Sequence, residues 1–374
     1  MTASEATNGH TGRLAIFTSN MGGGGAERAM LKLAGGMAGR GYQVDLVLSR
    51  AEGHYLEEVP GAVRIVDLHA SRVLASLPGV VRYLRRERPS AMLTSLNYVN
   101  IVGVWARRLA GVETRLVVNE QNTLSLEAPH SPRRRHRLLP MLAKRFYPWA
   151  DRIVAVSQGA ADDLVRAVGL APDRIEVVHN PIVTPELKAM VAAPLEHPWF
   201  EPGGVPVVLA VGRFTVQKDF GTLIRAVERV RRERRVRLLI LGDGPERAGL
   251  EALVAEVDLG DAVDLPGWVT NPYPYMVRAD AFVLSSRWEG LPSVLIEALF
   301  CGVPVVATDC PSGPTEILEG GKHGLLVPVG DVGALARGIE AAVEGKVPRP
   351  TTESWRPYEQ EIVVERYLEV LVGA

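Results

Sequence analysis

Short runs of apolar, β-favouring residues recur along the chain. Each gives way to a stretch whose apolar positions repeat at helical spacing. In the first half such runs predict strands near Leu14–Thr18, Val44–Leu48, Val63–Leu68, Met92–Ser95, Leu116–Asn119, Ile153–Val156 and Ile175–Val178. In the second half they fall near Val207–Val211, Leu238–Leu241, Ala281–Leu284, Pro304–Ala307 and Leu325–Val327. Many are continuous apolar runs rather than alternating ones, as in parallel strands covered by helices on both faces. The strand–helix alternation predicts a doubly wound α/β architecture. There is no short-period repeat, so the two halves read as two copies of one architecture.

Between 184 and 206 the pattern breaks. Pro185, Pro194, Pro198, Pro202 and Pro206 punctuate this stretch, with Gly203-Gly204 among them, which suits a linker. The expectation is an N-terminal domain over 12–190, a C-terminal domain over 191–354 and a terminal helix within 355–374 that packs back on the first domain. Residues 1–11 are polar and expected to be disordered. A length of 374 residues accommodates two such domains. Hydrophobic residues at 47% and charged residues at 23% exclude a disordered chain. No apolar run is long enough for a membrane span, and the polar start lacks a secretory core, so a cytoplasmic protein is expected. Two cysteines, Cys301 and Cys310, cannot build a disulfide framework or a four-thiolate zinc site. Charge is unevenly placed. Residues 1–190 hold 24 basic against 17 acidic side chains, and the remainder 18 against 26. Opposite-signed halves point to domains with different partners.

In doubly wound sheets ligands sit beyond the carboxyl ends of the strands. Candidate chemistry follows several of the expected strands. Glu289 and Glu297 stand in WEGLPSVLIEAL with seven residues between them. A helix starting near Pro292 would hold Glu297 and leave Glu289 in the loop before it, with Gly290, Leu291 and Pro292 at the positive end of the helix. A carboxylate there suits sugar hydroxyls, although a surface Glu and a helix-face Glu would look the same. Arg213 and Lys218 in AVGRFTVQKDF follow Val207–Val211, with a helix expected from about Asp219. Two cations at that position suit a diphosphate, or form a solvated basic loop. Gly22, Gly23, Gly24 and Gly25 separate the first strand from its helix, allowing an anion to approach helix amides or simply making a flexible turn. The G-x-G-x-x-G spacing of dinucleotide sites fails at Glu27, which makes a nicotinamide oxidoreductase the weakest alternative. Gly242 lies in the turn Leu241-Gly242-Asp243-Gly244-Pro245, and Trp268 follows Pro266-Gly267. Trp268 would serve as a stacking platform for a base, or more commonly as a packed core residue.

Together these residues resemble the retaining glycosyltransferases of family 4, which have the GT-B fold of two Rossmann-like domains facing across a cleft. VGRFTVQKDF, LGDGPE, LPGW, SSRWEGLPSVLIEALFCGVPVVATDCPSGPTEIL and GLLVPVGD occur in family order. The P-S-G-P-T-E-I-L run is most similar to hexosyl- and hexosaminyltransferases of lipid-linked and cell-surface glycan assembly. The resemblance implies that Arg213 and Lys218 bind the donor diphosphate and stabilise the leaving group. It implies Glu289 near the donor sugar, Glu297 on the ribose, and Gly290, Leu291 and Pro292 near the diphosphate. Gly23 to Gly25 match the N-domain glycine loop, while Gly242 and Trp268 are further donor-side candidates. The family often places a His after an N-domain strand. This chain has Val118-Asn119-Glu120-Gln121-Asn122 there, so Glu120 or Gln121 is the expected replacement on the acceptor side. No D-x-D run is present, so no obligatory metal and no cofactor beyond a nucleotide-sugar substrate, UDP-linked by the subgroup resemblance, are expected.

The basic run Ser131–Arg137 precedes Leu138, Met141, Leu142, Phe146 and Trp149, with Lys144 and Arg145 among them. Residues 133–149 therefore read as a peripheral membrane contact at the inner face of the cell membrane, or as a core-facing helix with a solvated basic side. Nucleic acid is not expected, because stacking aromatics are sparse and no reader motif is present. A soluble transferase acting on a small natural product and a non-catalytic nucleotide-sugar scaffold remain as alternatives.

Overall fold

The computed structural model describes residues 12–22, 24–130, 134–201 and 203–373. Gly23, residues 1–11 and Ser131 to Arg133 lie outside the described residues. The chain divides into two compact units. The first takes in the chain up to 156, then 160–181 and the chain from 360 on. The second takes in 157–159 and 182–359. The passage at 181/182 precedes the Pro-rich stretch, whose short helix Pro185–Met190 is held by Asn271 within the second unit (Nδ2 to the Met190 carbonyl, 2.9 Å).

The first unit is built on seven strands: β1 Arg13–Thr18, β2 Gln43–Leu48, β3 Val63–Asp67, β4 Ala91–Ser95, β5 Arg115–Glu120, β6 Arg152–Ala155 and β7 Ile175–Val177. They lie in the order β3-β2-β1-β4-β5-β6-β7, every neighbouring pair parallel. Phe17 sits opposite Thr94, and Ser95 opposite Asn119, so the central strands end flush. One face of the sheet carries helix α1, Gly25–Gly39, and the C-terminal helix Gln360–Val372. Leu14, Ile16, Leu93 and Val117 pack there with Met30, Leu33, Val364 and Tyr367. The two helices approach closely at Gly36, where a Cβ would meet Val364 Cγ2 at 2.6 Å. The opposite face carries α2 Leu77–Glu87, α3 Asn97–Ala110, α4 Leu124–His130 and α5 Leu139–Phe146, with Phe17, Met92 and Val118 packed against Leu84, Val102 and Leu139. Truncating such fully buried side chains to Ala costs about 2–5 kcal/mol each. A continuous helix from Trp355 is not what forms. Pro357 lies in a single 3-10 turn, Arg356–Tyr358, and the long helix starts after it at Gln360.

The second unit has six parallel strands: β8 Val207–Val211, β9 Arg237–Leu241, β10 Val263–Gly267, β11 Ala281–Leu284, β12 Val305–Thr308 and β13 Leu325–Val327. Their order is β10-β9-β8-β11-β12-β13. β10 is the strand the hydrophobic pattern misses. Asp264 and Pro266 interrupt its apolar run, and the register with β9 shifts between Asp264 and Gly267. Pro is tolerated because β10 is an edge strand, where a missing N–H breaks no ladder. The helices Phe220–Arg231 and Val332–Val343 cover one face through Leu223, Val227, Leu335 and Ile339.

Candidate active site

The polar residues singled out in the second half converge at the carboxyl ends of β8, β9, β11 and β12. β8 and β11 are neighbours in the sheet, so the loops that leave them run side by side. They are stitched together. The Arg287 amide donates to the Gln217 carbonyl (2.7 Å), Ser285 Oγ to the Lys218 carbonyl (2.7 Å), and Gln217 Nε2 to the Trp288 carbonyl (2.9 Å). The Arg287 guanidinium also pairs with Asp219 (3.0 Å). Asp219 itself takes a left-handed backbone (φ 48°) just before the helix Phe220–Arg231, which starts one residue later than expected.

Glu289 is held at the centre of this weave, 6% exposed. Its Oε1 accepts from Lys218 Nζ and from Ser286 Oγ, both at 2.6 Å, and Oε2 lies 3.4 Å from Gln217 Nε2. Its backbone is pinned to the loop after β12. The Glu289 amide donates to the Pro311 carbonyl (2.7 Å), and the Ser312 amide returns to the Glu289 carbonyl (3.1 Å). The Gly290 carbonyl accepts from Ser157 Oγ (2.8 Å) and Ser312 Oγ (3.0 Å). Gly290, Leu291 and Pro292 are thereby buried. The helix runs Ser293–Cys301, with Pro292 as its N-cap and no side-chain cap. Its dipole therefore meets the loop uncompensated. Glu297, one turn in and 5% exposed, accepts from the Tyr273 hydroxyl at 3.1 Å. Cys310 is buried close by. Its thiol is pushed up to about 12 by burial and by the Glu289 charge, and is held protonated.

Arg213 is exposed and its guanidinium has no bonded partner among the described residues, whereas Lys218 is occupied by Glu289. Gly242 (φ 145°) belongs to the turn for a packing reason. A Cβ there would fall on the Gly212 carbonyl oxygen at the end of β8. Trp268 is 59% exposed. It is not a core residue, because it follows the edge strand β10 rather than a central one. Among the described residues no group of three or more His, Cys, Asp or Glu side chains is placed to hold a metal ion.

In the first unit, Gly24 and Gly25 are exposed at the start of α1, and Gly24 caps it without a side-chain hydrogen bond. Glu120 is a correction. It was expected to face an acceptor, but it is 1% exposed and turned inward. Its Oε2 accepts from the Tyr147 hydroxyl (2.9 Å) and its Oε1 from the Gln121 amide (3.2 Å). Asn100 donates to the Tyr147 oxygen (3.1 Å) and the Asn119 carbonyl (3.0 Å), and accepts from Thr94 Oγ1 (2.8 Å). Burial, helped by the Glu127 charge, pushes the Glu120 carboxyl up to about 8. Gln121, partly exposed, forms a reciprocal amide pair with Asn180 (2.7 and 3.4 Å). Sequence reasoning missed Asn180, although His179-Asn180-Pro181 stands at a strand's carboxyl end like the other candidates. It also missed Gln217, Ser286 and Ser312, common polar residues whose importance lies only in what they hold.

Comparisons with known proteins establish the family and the fold. Residues 23–185 match Glycosyltransferase Family 4, and residues 205–344 match glycosyl transferases group 1. The chain is 31% identical over 346 residues to the N-acetylgalactosamine-N,N'-diacetylbacillosaminyl-diphospho-undecaprenol 4-alpha-N-acetylgalactosaminyltransferase of Campylobacter jejuni, covering 89% of this chain and 90% of that protein. It is 30% identical to the lipopolysaccharide core biosynthesis glycosyltransferase LpsE of Rhizobium meliloti, covering 94% and 96%. Anabaena HepE in complex with UDP-glucose superposes with a TM-score of 0.76 at 20% identity, covering 97% of this chain and all of that one (100%). Sucrose-phosphate synthase from Thermosynechococcus elongatus superposes with a TM-score of 0.78 at 20% identity and the same coverage. The fold is GT-B, and the chain belongs to the family 4 glycosyltransferases.

Proposed function

We propose that this glycosyltransferase is retaining and metal-independent. It moves a hexose or N-acetylhexosamine from a UDP-sugar to a lipid-linked saccharide or cell-surface glycan at the inner face of the cell membrane. The observation that carries the reading is the Lys218–Glu289 pair beside an uncapped helix N-terminus. Without donor, the Lys218 ammonium and the Glu289 carboxylate satisfy each other at 2.6 Å. A diphosphate brings a denser negative charge and takes Lys218, together with the unengaged Arg213 and the amides that open the helix Ser293–Cys301. Glu289 stays in place, because Ser286 and Gln217 still hold it, and its carboxylate then accepts from the sugar hydroxyls. Breaking the C1–phosphate bond builds negative charge on the departing diphosphate. Cations and amides already fixed there stabilise that charge more than the bound ground state. Glu297 is assigned to the ribose hydroxyls and Trp268 to the donor side.

The lipid-linked acceptor is supported by the undecaprenol-linked and lipopolysaccharide-core relatives, and UDP by the UDP-glucose bound to the Anabaena neighbour. Membrane contact is assigned to the face around α5. Arg137, Leu138, Met141, Lys144 and Arg145 are all exposed there. No helix of the described residues is long and apolar enough to cross a membrane.

Calorimetric titration with UDP, GDP, ADP and NAD, in the presence of a chelator, tests the reading. Selective UDP binding is expected, and binding of NAD alone overturns it. The anomeric coupling of the first-formed product, read by proton NMR, tests retention.

A further inference from the structure

In the first unit α3 packs between α2 and α5, and the outer side of this helical layer is neither uniformly polar nor neutral. Leu109 at the end of α3 is 57% exposed, and Leu138 and Met141 beside α5 are 52% and 60% exposed. A groove of about 680 Å³ runs between α2 and the end of α3, lined by Leu77, Pro78, Val81 and Leu109 together with Arg82, Arg85 and Arg86. Arg85 is committed to the fold. It donates to the carbonyls of Leu109 (2.8 Å) and Ala110 (3.2 Å) and so fixes the end of α3 against α2. Arg82 is exposed and has no partner among the described residues. Among the described residues Arg86, 68% exposed, pairs with its neighbour Glu87, which Arg13 and Arg64 already share. A second depression on the same layer is lined by Arg107, Arg108 and Trp149, with Glu113 its only acid. The guanidinium groups of Arg108 and Arg145 lie 4.8 and 4.9 Å from the Trp149 ring centroid.

We propose that the α2–α3 groove is a docking site for anionic membrane phospholipid. Arg82 and Arg86 take the headgroup phosphate, and the first acyl carbons lie along Leu77, Val81 and Leu109. Charge complementarity selects this occupant. An apolar trough with unneutralised guanidiniums at its edge matches a lipid, apolar below and anionic above. A nucleic acid would want stacking rings, which the groove lacks. The proposal extends to α2 the membrane contact assigned above to the face around α5, and rests on that reading.

The test is co-sedimentation of the full chain with mixed phosphatidylcholine–phosphatidylglycerol vesicles and with pure phosphatidylcholine vesicles. Arg82→Glu, Leu109→Ser and, for the α5 face, Met141→Ser are compared with the parent protein. All three side chains are exposed, so the fold is not at risk. Each basic residue near an anionic surface is worth about a fivefold change in affinity, so the reversal at Arg82 weakens binding roughly thirtyfold. Leu109→Ser weakens it severalfold, and the parent protein prefers the mixed vesicles. If Arg82→Glu and Leu109→Ser sediment like the parent while Met141→Ser does not, the groove is not a lipid site and the α5 contact stands. If the parent stays in the supernatant with mixed vesicles, both the groove and the α5 contact are overturned. Equal binding to the two vesicle types removes the headgroup from the proposal. Transfer to a soluble saccharide acceptor by Arg82→Glu stays at the parent rate, which separates a failed membrane reading from a failed enzyme.

Discussion

Replacing Glu120 with Gln isolates a pH dependence built into the first unit. The carboxyl is moved from its ordinary 4.5 to about 8 by burial and the Glu127 charge, against hydrogen bonds from Tyr147 and the Gln121 and Asn122 amides. The folded state therefore holds a proton that the unfolded chain has released at neutral pH. Between those two values the folded state binds more protons, so stability falls as pH rises. The contribution of this proton is fully present below pH 4.5, declines through the window, and is lost above about 8. At about 1.4 kcal/mol per pH unit, moving from pH 5 to pH 8 costs the folded state about 3 kcal/mol. Glu120→Gln keeps an acceptor for the Tyr147 hydroxyl and cannot ionise, so the variant lacks this slope. Because the chain has two units, the readout must belong to the first. Urea unfolding sampled by pulsed hydrogen exchange in β5 meets that need. The variant is expected to match the parent near pH 5 and to exceed it by about 2–4 kcal/mol at pH 8. Parallel pH profiles for parent and variant would refute the reasoning.

Two further outcomes are expected. Glu297→Gln weakens UDP binding about tenfold, as suits the loss of one charged hydrogen bond, while leaving the fold intact because the Tyr273 hydroxyl keeps its acceptor; titration calorimetry and a melting curve check both halves. Gly242→Ala lowers the stability of the second unit by 3 kcal/mol or more, roughly the cost of a forced left-handed backbone together with the Cβ pressed on the Gly212 carbonyl; denaturation followed through Trp288 fluorescence checks it.

The extent to which the sequence could be read follows from the range of the forces concerned. Twelve of the thirteen strands stand where short apolar, β-favouring runs predict them, and the central ones are continuous because burial on both faces leaves a local mark. β10 left none: an edge strand tolerates Asp264 and Pro266, so its pattern reads as a loop. Glu120 was misread for a different reason. Both faces of β5 are covered, with Leu116, Val117, Val118 and Asn119 all fully buried, so a residue that still belongs to the strand turns inward on either parity. The Lys218–Glu289 pairing could not be read locally. It exists because β11 lies beside β8, although β9 and β10 come between them in the chain. The ordered motifs named both residues, but only the crossover shows that Lys218, expected on the diphosphate, rests on Glu289, expected on the sugar.

That resting pair carries the last prediction. A pair with side chains 15% and 8% exposed is poor evidence for stability, since desolvating two charges offsets most of their attraction. Its retention is better explained by function: each partner keeps the other poised for a ligand that replaces it. The two origins separate in a double-mutant cycle. Lys218→Met alone leaves the Glu289 carboxylate buried without its cation, and should destabilise the second unit by about 2–4 kcal/mol. Adding Glu289→Gln removes the stranded charge and should restore most of that loss. If the pair served the fold, recovery of stability would bring back activity. If it serves the donor, the double variant folds like the parent yet binds UDP at least tenfold more weakly and turns over at least a hundredfold more slowly, a loss on the scale expected for a fixed group that stabilises a leaving charge. A stable double variant with parental turnover would refute the role assigned to both residues.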